Sequence, residues 1–450
     1  MNFNKLDKKA FYTLMFPVLI EQVIMRLFHI ADSIMVGQMT DSTVAVAAIG
    51  LCASPINLIT CISTNLFIGT TATVAWYFGA MEKRKMRTFA WQSMGIATLV
   101  AALLTVFSII FAKDIMYFVC GESETLDIAA RYYQINAYGF LFQIITFNIT
   151  AMLRGVGLSK IPMIYNLTGG VVNVFLNYVL IFGVGIFPEL RSDGAALATT
   201  LSKVVTFIFA LLVLIFTKTD LNFKLGIDKK IDYAFKTRFF PIGLAAAGEE
   251  AILQIGAILS SKIVATLPTA QIAANQIVVN IEGFAWATGS ACQVASTSLF
   301  GRSLGEHNHR KAQKFLNLSV KWAVGFALVE FAAFCIFGKQ MAMIFTNDRA
   351  LYPLVVLILI LAAFELPFIN THQTVSGALR SAGDSMAPLI AGFISLWTFR
   401  VLAGFIIITV FKMDIYAYRI ALILDQLTRC AVICAFYLTG HWKKKVYKKR

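Results

Sequence analysis

Asp32 is the residue of this sequence that a purely structural role explains least well. It lies in an apolar run that ends at Gly37, and no Lys or Arg occurs three or four residues to either side. A carboxylate in apolar surroundings tends to keep its proton and can exchange it near neutral pH. Its partner is therefore expected to be a proton, a bound cation or a side chain from another helix.

Two amides and two hydroxyls farther along the chain could complete a site around Asp32. Asn173 and Asn177 are four residues apart and so share one face of a helix. Thr199 and Thr200 lie in the next apolar run. Carboxylate, amide and hydroxyl oxygens suit a hard cation or a proton-linked network. The alternative is that these groups only join helices through polar contacts.

A second group of acids lies in the C-terminal half. Glu249 and Glu250 are adjacent, and adjacent residues of a helix point about 100° apart, so one of them is expected to face a cavity. Together with Glu282, Glu365 and many Phe and Met side chains, such a cavity would suit lipophilic cations. The alternative is pairing of these acids with basic residues of neighbouring helices: His372 and Arg400.

Other ionisable residues of the apolar runs have simpler explanations. Asp425 and Arg429 are four residues apart and can pair on their own helix. Glu330 is expected at a helix end. Three basic residues are expected to extend towards an interface: Lys321, Arg400 and Arg419.

The elements that position these residues are membrane-spanning helices. The chain has 450 residues, of which 58% are hydrophobic and 14% charged, with a mean hydropathy of +0.74. This apolar excess extends over the whole length, and helices satisfy their backbone groups within lipid. Segments of about 20 apolar residues span a bilayer. The pattern predicts twelve spans: 13–37, 46–78, 89–112, 128–153, 161–186, 194–217, 239–262, 271–301, 315–338, 352–379, 386–411 and 416–440.

The distribution of basic residues predicts the orientation of these spans. Of the Lys and Arg residues outside the predicted spans or at their ends, 26 fall on one side of the membrane and 7 on the other. The positive-inside rule then places both termini in the cytoplasm. The protein is expected in the plasma (inner) membrane. The basic tail is expected to contact lipid headgroups, so the net charge of +15 does not indicate nucleic-acid binding.

The chain repeats itself once. Leu-Arg-Gly-Val-Gly at 153–157 is matched by Leu-Arg-Ser-Ala-Gly at 379–383, and each segment is followed by a proline. Near the start of each half, Pro17 is matched by Pro241. An internally repeated, apolar chain is typical of secondary transporters with a central binding site.

This repeat predicts two lobes. A polar linker at 218–238 separates an N-lobe at 1–217 from a C-lobe at 239–450, with six helices each. Because six is even, the halves enter from the same side, and the repeats are parallel. Pro17 and Pro241 lie inside the first helix of each lobe and are predicted hinges, with a merely bent helix as the alternative.

In its repeat and in its motifs, the chain resembles the multidrug and toxic compound extrusion (MATE) transporters over nearly its whole length. The paired Leu-Arg-x-x-Gly segments resemble the signatures that follow helices four and ten of that family. Four further segments resemble its motifs in helices one, five, six and eight: 31–37, 173–178, 194–199 and 273–277, the last of which contains Gln276.

The resemblance implies an antiporter with twelve helices that exports organic cations in exchange for H⁺ or Na⁺. It implies that Asp32, Asn173, Asn177 and Thr199 form the site of the coupling ion, and that Pro17 bends helix one. It also implies a substrate or second coupling site in the C-lobe, and a monomer is expected. The residues assigned to that second site are Glu249, Glu250, Gln276, Glu282 and Glu365.

Two departures from the family pattern leave the coupling ion open. Some members have Asp where this chain has Asn177. Some members that carry the acid at Glu249 also carry an Asp in helix ten, where this chain has Asn370.

The main alternative function is that of a flippase of lipid-linked oligosaccharides in the same superfamily. Such proteins tend to have a strongly basic cavity, whereas the central residues here are mostly acidic. An enzyme is disfavoured because the sequence lacks a Gly-x-x-x-x-Gly-Lys phosphate loop, a His-Glu-x-x-His motif and a Gly-x-Ser-x-Gly motif. The seven cysteines are expected to be free thiols. No metal and no organic cofactor are expected.

Overall fold

A computed structural model describes residues 5–38, 43–185, 187–216, 219–221 and 230–443, and every regular element within them is a helix. The first eight α-helices follow the apolar runs of the N-terminal half. They are α1 (Lys5–Gly37), α2 (Thr43–Leu66), α3 (Ile68–Gly79), α4 (Lys83–Ile110), α5 (Ala112–Cys120), α6 (Leu126–Gly155), α7 (Lys160–Phe182) and α8 (Arg191–Phe216).

The C-terminal half begins with a π-helical turn at Phe235–Phe239. Its α-helices are α9 (Phe240–Val264), α10 (Thr269–Gly305), α11 (His309–Phe345), α12 (Tyr352–Ala363), α13 (Leu366–Ser381), α14 (Met386–Ser395) and α15 (Ile415–Leu438). After α14 the helix continues as π-helical turns at Leu396–Ala403 and Ile406–Val410.

These helices confirm the prediction of an all-α membrane protein with twelve spans. Within the described residues, ten helical segments are long and apolar enough to cross a membrane, and α12 and α13 together form an eleventh that is bent by 41°. The twelfth is α10, which has 37 residues but is less apolar, because its buried face carries small polar residues such as Ser296, Thr297 and Ser298. Such residues let helices approach closely within a membrane.

The chain divides into two compact units. The N-terminal unit consists of Ile20–Phe239, and the C-terminal unit consists of the chain before Ile20 together with the chain from Phe240 onward. The division therefore falls inside α1, between Leu19 and Ile20, two residues beyond Pro17. The predicted lobe boundaries were residues 217 and 239. Pro17 lies inside α1, and Pro241 is the second residue of α9.

In the N-terminal unit, α6 is the central helix and packs against α2, α3, α4 and α8. Its core includes Phe89, Tyr133 and Phe140. The predicted linker at 218–238 lies in large part outside the described residues. Its described ends are held on this unit, because Asp232 accepts a hydrogen bond from the Tyr77 hydroxyl at 2.8 Å.

In the C-terminal unit, α10 and α13 form the centre, and α11, α12 and α15 pack around them. The first turns of α1 belong here, because Phe11, Leu14 and Met15 pack in one buried cluster with residues of α10 and α11.

Candidate functional site

Asp32 lies on α1 opposite the two asparagines of α7. Asn177 Nδ2 donates to Asp32 Oδ1 at 2.8 Å. Asn173 and Asn177 are 8% and 2% exposed, and they occupy the same face of α7 because they are one turn apart. The oxygen of the same amide, Asn177 Oδ1, is buried and accepts no hydrogen bond from the described residues.

Asn173 and Thr199 extend this group. Asn173 Nδ2 lies 3.5 Å from Thr199 Oγ1. The oxygen and nitrogen of an amide are interchangeable in shape, and turning the Asn173 amide brings its nitrogen 3.0 Å and 3.1 Å from the two Asp32 oxygens. The structure thus brings together the four residues that the sequence assigned to a coupling-ion site, and their role as such remains a prediction.

Glycines allow the close packing that forms this group. A Cβ at Gly170 of α7 would collide with the ring of Phe28 on α1, and a Cβ at Gly169 would collide with Thr206 of α8. Because both positions are glycine, α1 and α8 can lie close to α7. Asp32, one turn beyond Phe28, then reaches the amides of α7.

A second acid of α1 has a different environment. Glu21 is 4% exposed and accepts from Arg154 Nη2 at 3.0 Å and from Asn166 Nδ2 at 2.7 Å. Arg154 belongs to the repeated Leu-Arg segment, and the sequence analysis counted it among the basic residues outside the membrane core. In the structure its side chain is instead 14% exposed, and it neutralises an acid in the protein interior.

The matching arginine of the second repeat makes the equivalent pair. Arg380 Nη2 donates to Glu249 Oε2 at 2.6 Å, and both side chains are 6% exposed. The charge of Glu249, which the sequence assigned to a substrate site, is therefore compensated within the protein. Glu250 accepts from Gln254 at 2.9 Å. Gln276 is exposed on α10.

Glu282 and Glu365 come together around one arginine. Arg419 Nη1 lies 2.6 Å from Glu282 Oε1 and 3.8 Å from Glu365 Oε1. Arg419 Nη2 also donates to Asn275 Oδ1 at 2.8 Å. Arg419 was expected to extend towards an interface, but it is 1% exposed. That expectation was wrong because the sequence does not show that α10 and the start of α13 each place an acid next to α15.

Asp425 forms a further buried pair. Arg429 lies 3.4 Å from Asp425 Oδ1 on the same helix, which confirms the predicted contact. Asp425 Oδ2 also accepts from Arg400 Nε at 3.0 Å. Arg400 was likewise expected near an interface, and the structure shows it paired with an acid that is 0% exposed.

Two acids of the spans lack such a partner. No Lys, Arg or His side chain lies within 4 Å of the carboxylate of Asp32 or Glu330 among the described residues, whereas five other acids each contact an arginine: Glu21, Glu249, Asp425, Glu282 and Glu365. Glu330 was expected at a helix end, but it lies fifteen residues before the end of α11. The sequence analysis therefore missed this residue, although an acid within an apolar run was the available signal.

Metal ligation by acids, histidines and cysteines finds no support in the part of the chain that the structure describes. No group of three such residues lies close enough to hold a metal ion. The cysteines of these segments are free thiols.

Comparison with known proteins identifies the family. The MatE family profile matches residues 17–179 and again 245–406, once in each half of the repeat. Over 448 residues, the chain is 27% identical to the "Probable multidrug resistance protein NorM" of Thermotoga maritima, with 98% of this chain and 95% of that protein covered.

Solved structures share the fold. One is described as an outward-facing conformation of a multidrug resistance MATE family transporter of the MOP superfamily; it has a TM-score of 0.89 at 19% identity and covers 99% of this chain and 97% of its own. Another is a MOP superfamily transporter from Pyrococcus furiosus whose binding pocket is described as having reverse polarity. Its TM-score is 0.88 at 19% identity, with 98% of this chain and 96% of that chain covered. With the family profile matching both halves, this chain is a membrane transporter that belongs to the MatE family.

Proposed function

We propose that this protein is a secondary antiporter that exports organic, mostly cationic compounds in exchange for H⁺ or Na⁺ bound at Asp32. Its relative in Thermotoga maritima is named a probable multidrug resistance protein. That name supports the proposal that the cargo includes several unrelated compounds. The protein acts as a monomer in the plasma membrane, surrounded by lipid and with both termini in the cytoplasm.

The observation that carries this proposal is the charge balance of the spans. Among the described residues, five interior acids have an arginine partner, whereas the described groups that contact Asp32 are amide donors. A charged side chain within the membrane is energetically costly unless an opposite charge compensates it, and such side chains usually have a function. An exchangeable cation or proton compensates Asp32 in the same way that arginine compensates the other acids.

The surrounding groups suit a reversible partner. Asn177 Oδ1 is a buried acceptor without a donor, and Thr199 supplies a hydroxyl oxygen beside Asn173. These oxygens can complete the shell of a hard cation, or they can hold a protonated carboxyl by hydrogen bonds. Loading the site removes a net negative charge from α1. Such a change can shift a two-state protein between its conformations if the two states bind the ion differently.

The acids of the C-terminal unit are the candidate ligands for cargo. Glu249, Glu282 and Glu365 are candidates for binding cationic cargo, and each already contacts an arginine. A cation that binds one of them must therefore compete with a guanidinium or share the carboxylate with it. Gln276 is exposed, and Glu250 is partly exposed and accepts a hydrogen bond from Gln254.

A transport assay with purified protein tests the proposal. Proteoliposomes would be loaded with a fluorescent dye cation, and a pH gradient or a Na⁺ gradient would be imposed separately. We expect one of the two gradients to drive dye transport and Asp32→Asn to abolish it, while Glu124→Gln, at an exposed position, leaves it unchanged. Gradient-driven transport at the wild-type rate by Asp32→Asn would refute the role of Asp32.

A second candidate function rests on two basic side chains of α1. Arg26 and His29 are one turn apart on α1 in the N-terminal unit, and both are exposed within a membrane-spanning segment. They suit an anionic cargo, as a flippase for lipid-linked oligosaccharides would require. The same liposomes with a fluorescent lipid pyrophosphate in place of the dye distinguish the two, because a flippase would move the lipid and not the dye.

A further inference from the structure

One face of α11 carries three basic side chains that begin at the first turn of the helix and continue into the predicted span. These residues, here called the basic stripe, are spaced by four and seven positions, which places them on the same face of a helix: Arg310, Lys314 and Lys321. Asn317 lies between the last two on that face. The basic stripe extends about 16 Å along α11.

The basic stripe points away from the protein interior. The buried residues of α11 include Ala312, Phe315 and Ser319. Because successive residues of a helix are about 100° apart, the basic stripe lies on the opposite side from them. Arg310 and Lys321 are exposed, and Lys314 is half-buried. Farther along α11 the same outward face is apolar, beginning with an exposed leucine, Leu328. Since α11 is long and apolar enough to cross a membrane, we expect lipid along this face.

The cations of the basic stripe have no acidic partner among the described residues. Two acids at this end of α11 contact other bases instead. Glu306 lies 2.8 Å from Lys311 Nζ and 3.2 Å from Arg302 Nε, and Asp7 lies 3.7 Å from Lys311 Nζ. The basic stripe therefore presents three positive charges on an outward face, and within the described chain nothing compensates them.

The basic stripe crosses the level at which α11 is predicted to enter the membrane. The predicted span begins at residue 315, so Arg310 and Lys314 precede it, and Lys321 lies about 9 Å beyond its start. A lysine at that depth can extend its ammonium group back to the headgroups. Trp322, next to Lys321, packs against Tyr12 with ring centroids 5.6 Å apart. Such rings are enriched at membrane interfaces.

We propose that the basic stripe of α11 binds the headgroup of an anionic phospholipid, whose acyl chains lie along the apolar face that begins at Leu328. Phosphate oxygens accept charge-assisted hydrogen bonds from guanidinium and ammonium groups. Basic clusters beside a membrane helix attract lipids with a net negative charge. A zwitterionic lipid binds more weakly because its own cation is repelled, and a soluble phosphate compound lacks the acyl chains.

This lipid site goes beyond the proposed antiport and does not rest on it. Its measurement needs neither a gradient nor cargo. A loss of lipid binding leaves the role of Asp32 untouched, and a failure of Asp32 in transport leaves the lipid site untouched.

Quenching of Trp322 fluorescence tests the proposal. Purified full-length protein in a neutral detergent would be titrated with phosphatidylglycerol that carries bromine on its acyl chains, since bromine quenches an indole in contact with it. The chain has six tryptophans, and the difference between wild type and Trp322→Phe isolates the signal of Trp322. We expect saturable quenching at a mole fraction about tenfold or more below that needed with brominated phosphatidylcholine. Added NaCl should weaken the binding by screening.

Variants of the basic stripe supply the decisive comparison. Arg310→Gln, Lys314→Gln and Lys321→Gln together should raise the half-saturating fraction of phosphatidylglycerol by about tenfold or more and leave that of phosphatidylcholine unchanged. Lys339→Gln is the matched control and should change neither, because it removes a single exposed lysine near the other end of the same helix. If the triple variant does not fold, Lys321→Gln alone is judged by the same criterion.

Three results would overturn the proposal. The first is wild-type affinity for phosphatidylglycerol in the triple variant. The second is equal saturation of the Trp322 signal by the two lipids. The third is displacement of phosphatidylglycerol by soluble glycerol phosphate, which would make the basic stripe a site for free phosphate compounds instead of a lipid.

Discussion

Arg380 donates a hydrogen bond to Glu249 at 2.6 Å, and both side chains are buried. The other repeat contains the same kind of pair, between Arg154 and Glu21. The arginines occupy matching positions in the repeat, but the acids do not. Glu21 comes four residues after Pro17, whereas Glu249 comes eight residues after Pro241. The two acids are thus offset by about one helical turn, and each unit holds its Leu-Arg segment through the same chemistry.

This pair predicts a large stability effect at Glu249. Glu249→Gln would leave the Arg380 guanidinium buried without its counter-charge, which costs about 3–5 kcal/mol. We expect a marked fall in the thermal unfolding midpoint of the purified protein. Glu189→Gln is the control, because its pair with Arg191 is exposed, and such pairs contribute about 1 kcal/mol or less.

A double variant separates the pair from a role in cargo binding. Glu249→Leu combined with Arg380→Met replaces both charges by apolar groups, which is often neutral for stability. If stability returns in the double variant but export of dye cations does not, Glu249 or Arg380 also acts in transport. An unfolding midpoint for Glu249→Gln equal to that of the wild type would contradict the predicted pair.

Asn177→Asp would place a second carboxylate beside Asp32. Asn177 Nδ2 is 2.8 Å from Asp32 Oδ1, so two carboxylates there would repel each other unless a cation or a proton lies between them. We expect tighter binding of the coupling ion and slower release, measured as a lower ion concentration for half-maximal dye export together with a lower maximal rate. An unchanged ion profile in Asn177→Asp would argue against a shared site.

The spans and the shared face of Asn173 and Asn177 were predictable from local patterns, whereas the grouping of these amides with Asp32, 145 residues from Asn177, followed from the family resemblance. Apolar runs of sufficient length indicate membrane helices, and the spacing of Asn173 and Asn177 places them on one face of α7. The contacts of Arg419 and Glu282 were not predictable in this way, because 137 residues separate them and no periodicity records which helices are neighbours.

The ion pairs of the buried arginines were also not predictable from the sequence. Arg154 and Arg380 directly follow two of the predicted spans, a position that usually indicates the membrane surface. Only the packing of α1 against α6 and of α9 against α13 reveals that each arginine meets an acid.

Pro17→Ala tests the predicted hinge. Pro17 lies inside α1, shortly before the point where the helix passes from one compact unit to the other. Proline removes a backbone hydrogen bond and weakens the helix locally, so alanine should stiffen α1. We expect dye export to slow while binding of the coupling ion at Asp32 is kept. If export is unchanged, α1 is only bent at Pro17; if binding is also lost, the substitution has disturbed the site instead of the motion.

Two helical glycines of the C-terminal unit predict opposite responses to alanine. A Cβ at Gly377 of α13 would lie 2.7 Å from the carbonyl oxygen of Gln293 and 2.7 Å from Thr297 Oγ1, both on α10. Because a backbone carbonyl cannot move aside easily, Gly377→Ala should force the two central helices apart and cost about 1–3 kcal/mol. A Cβ at Gly325 of α11 would meet no atom within 4 Å.

Gly325→Ala is therefore the matched control for Gly377→Ala. Alanine is favoured over glycine within a helix by about 1 kcal/mol, so Gly325→Ala should keep or raise the thermal unfolding midpoint, whereas Gly377→Ala should lower it. The two variants add the same methyl group in the same unit, so the difference between them measures the contact between α10 and α13. Equal midpoints would show that these helices are not packed as closely as the structure describes.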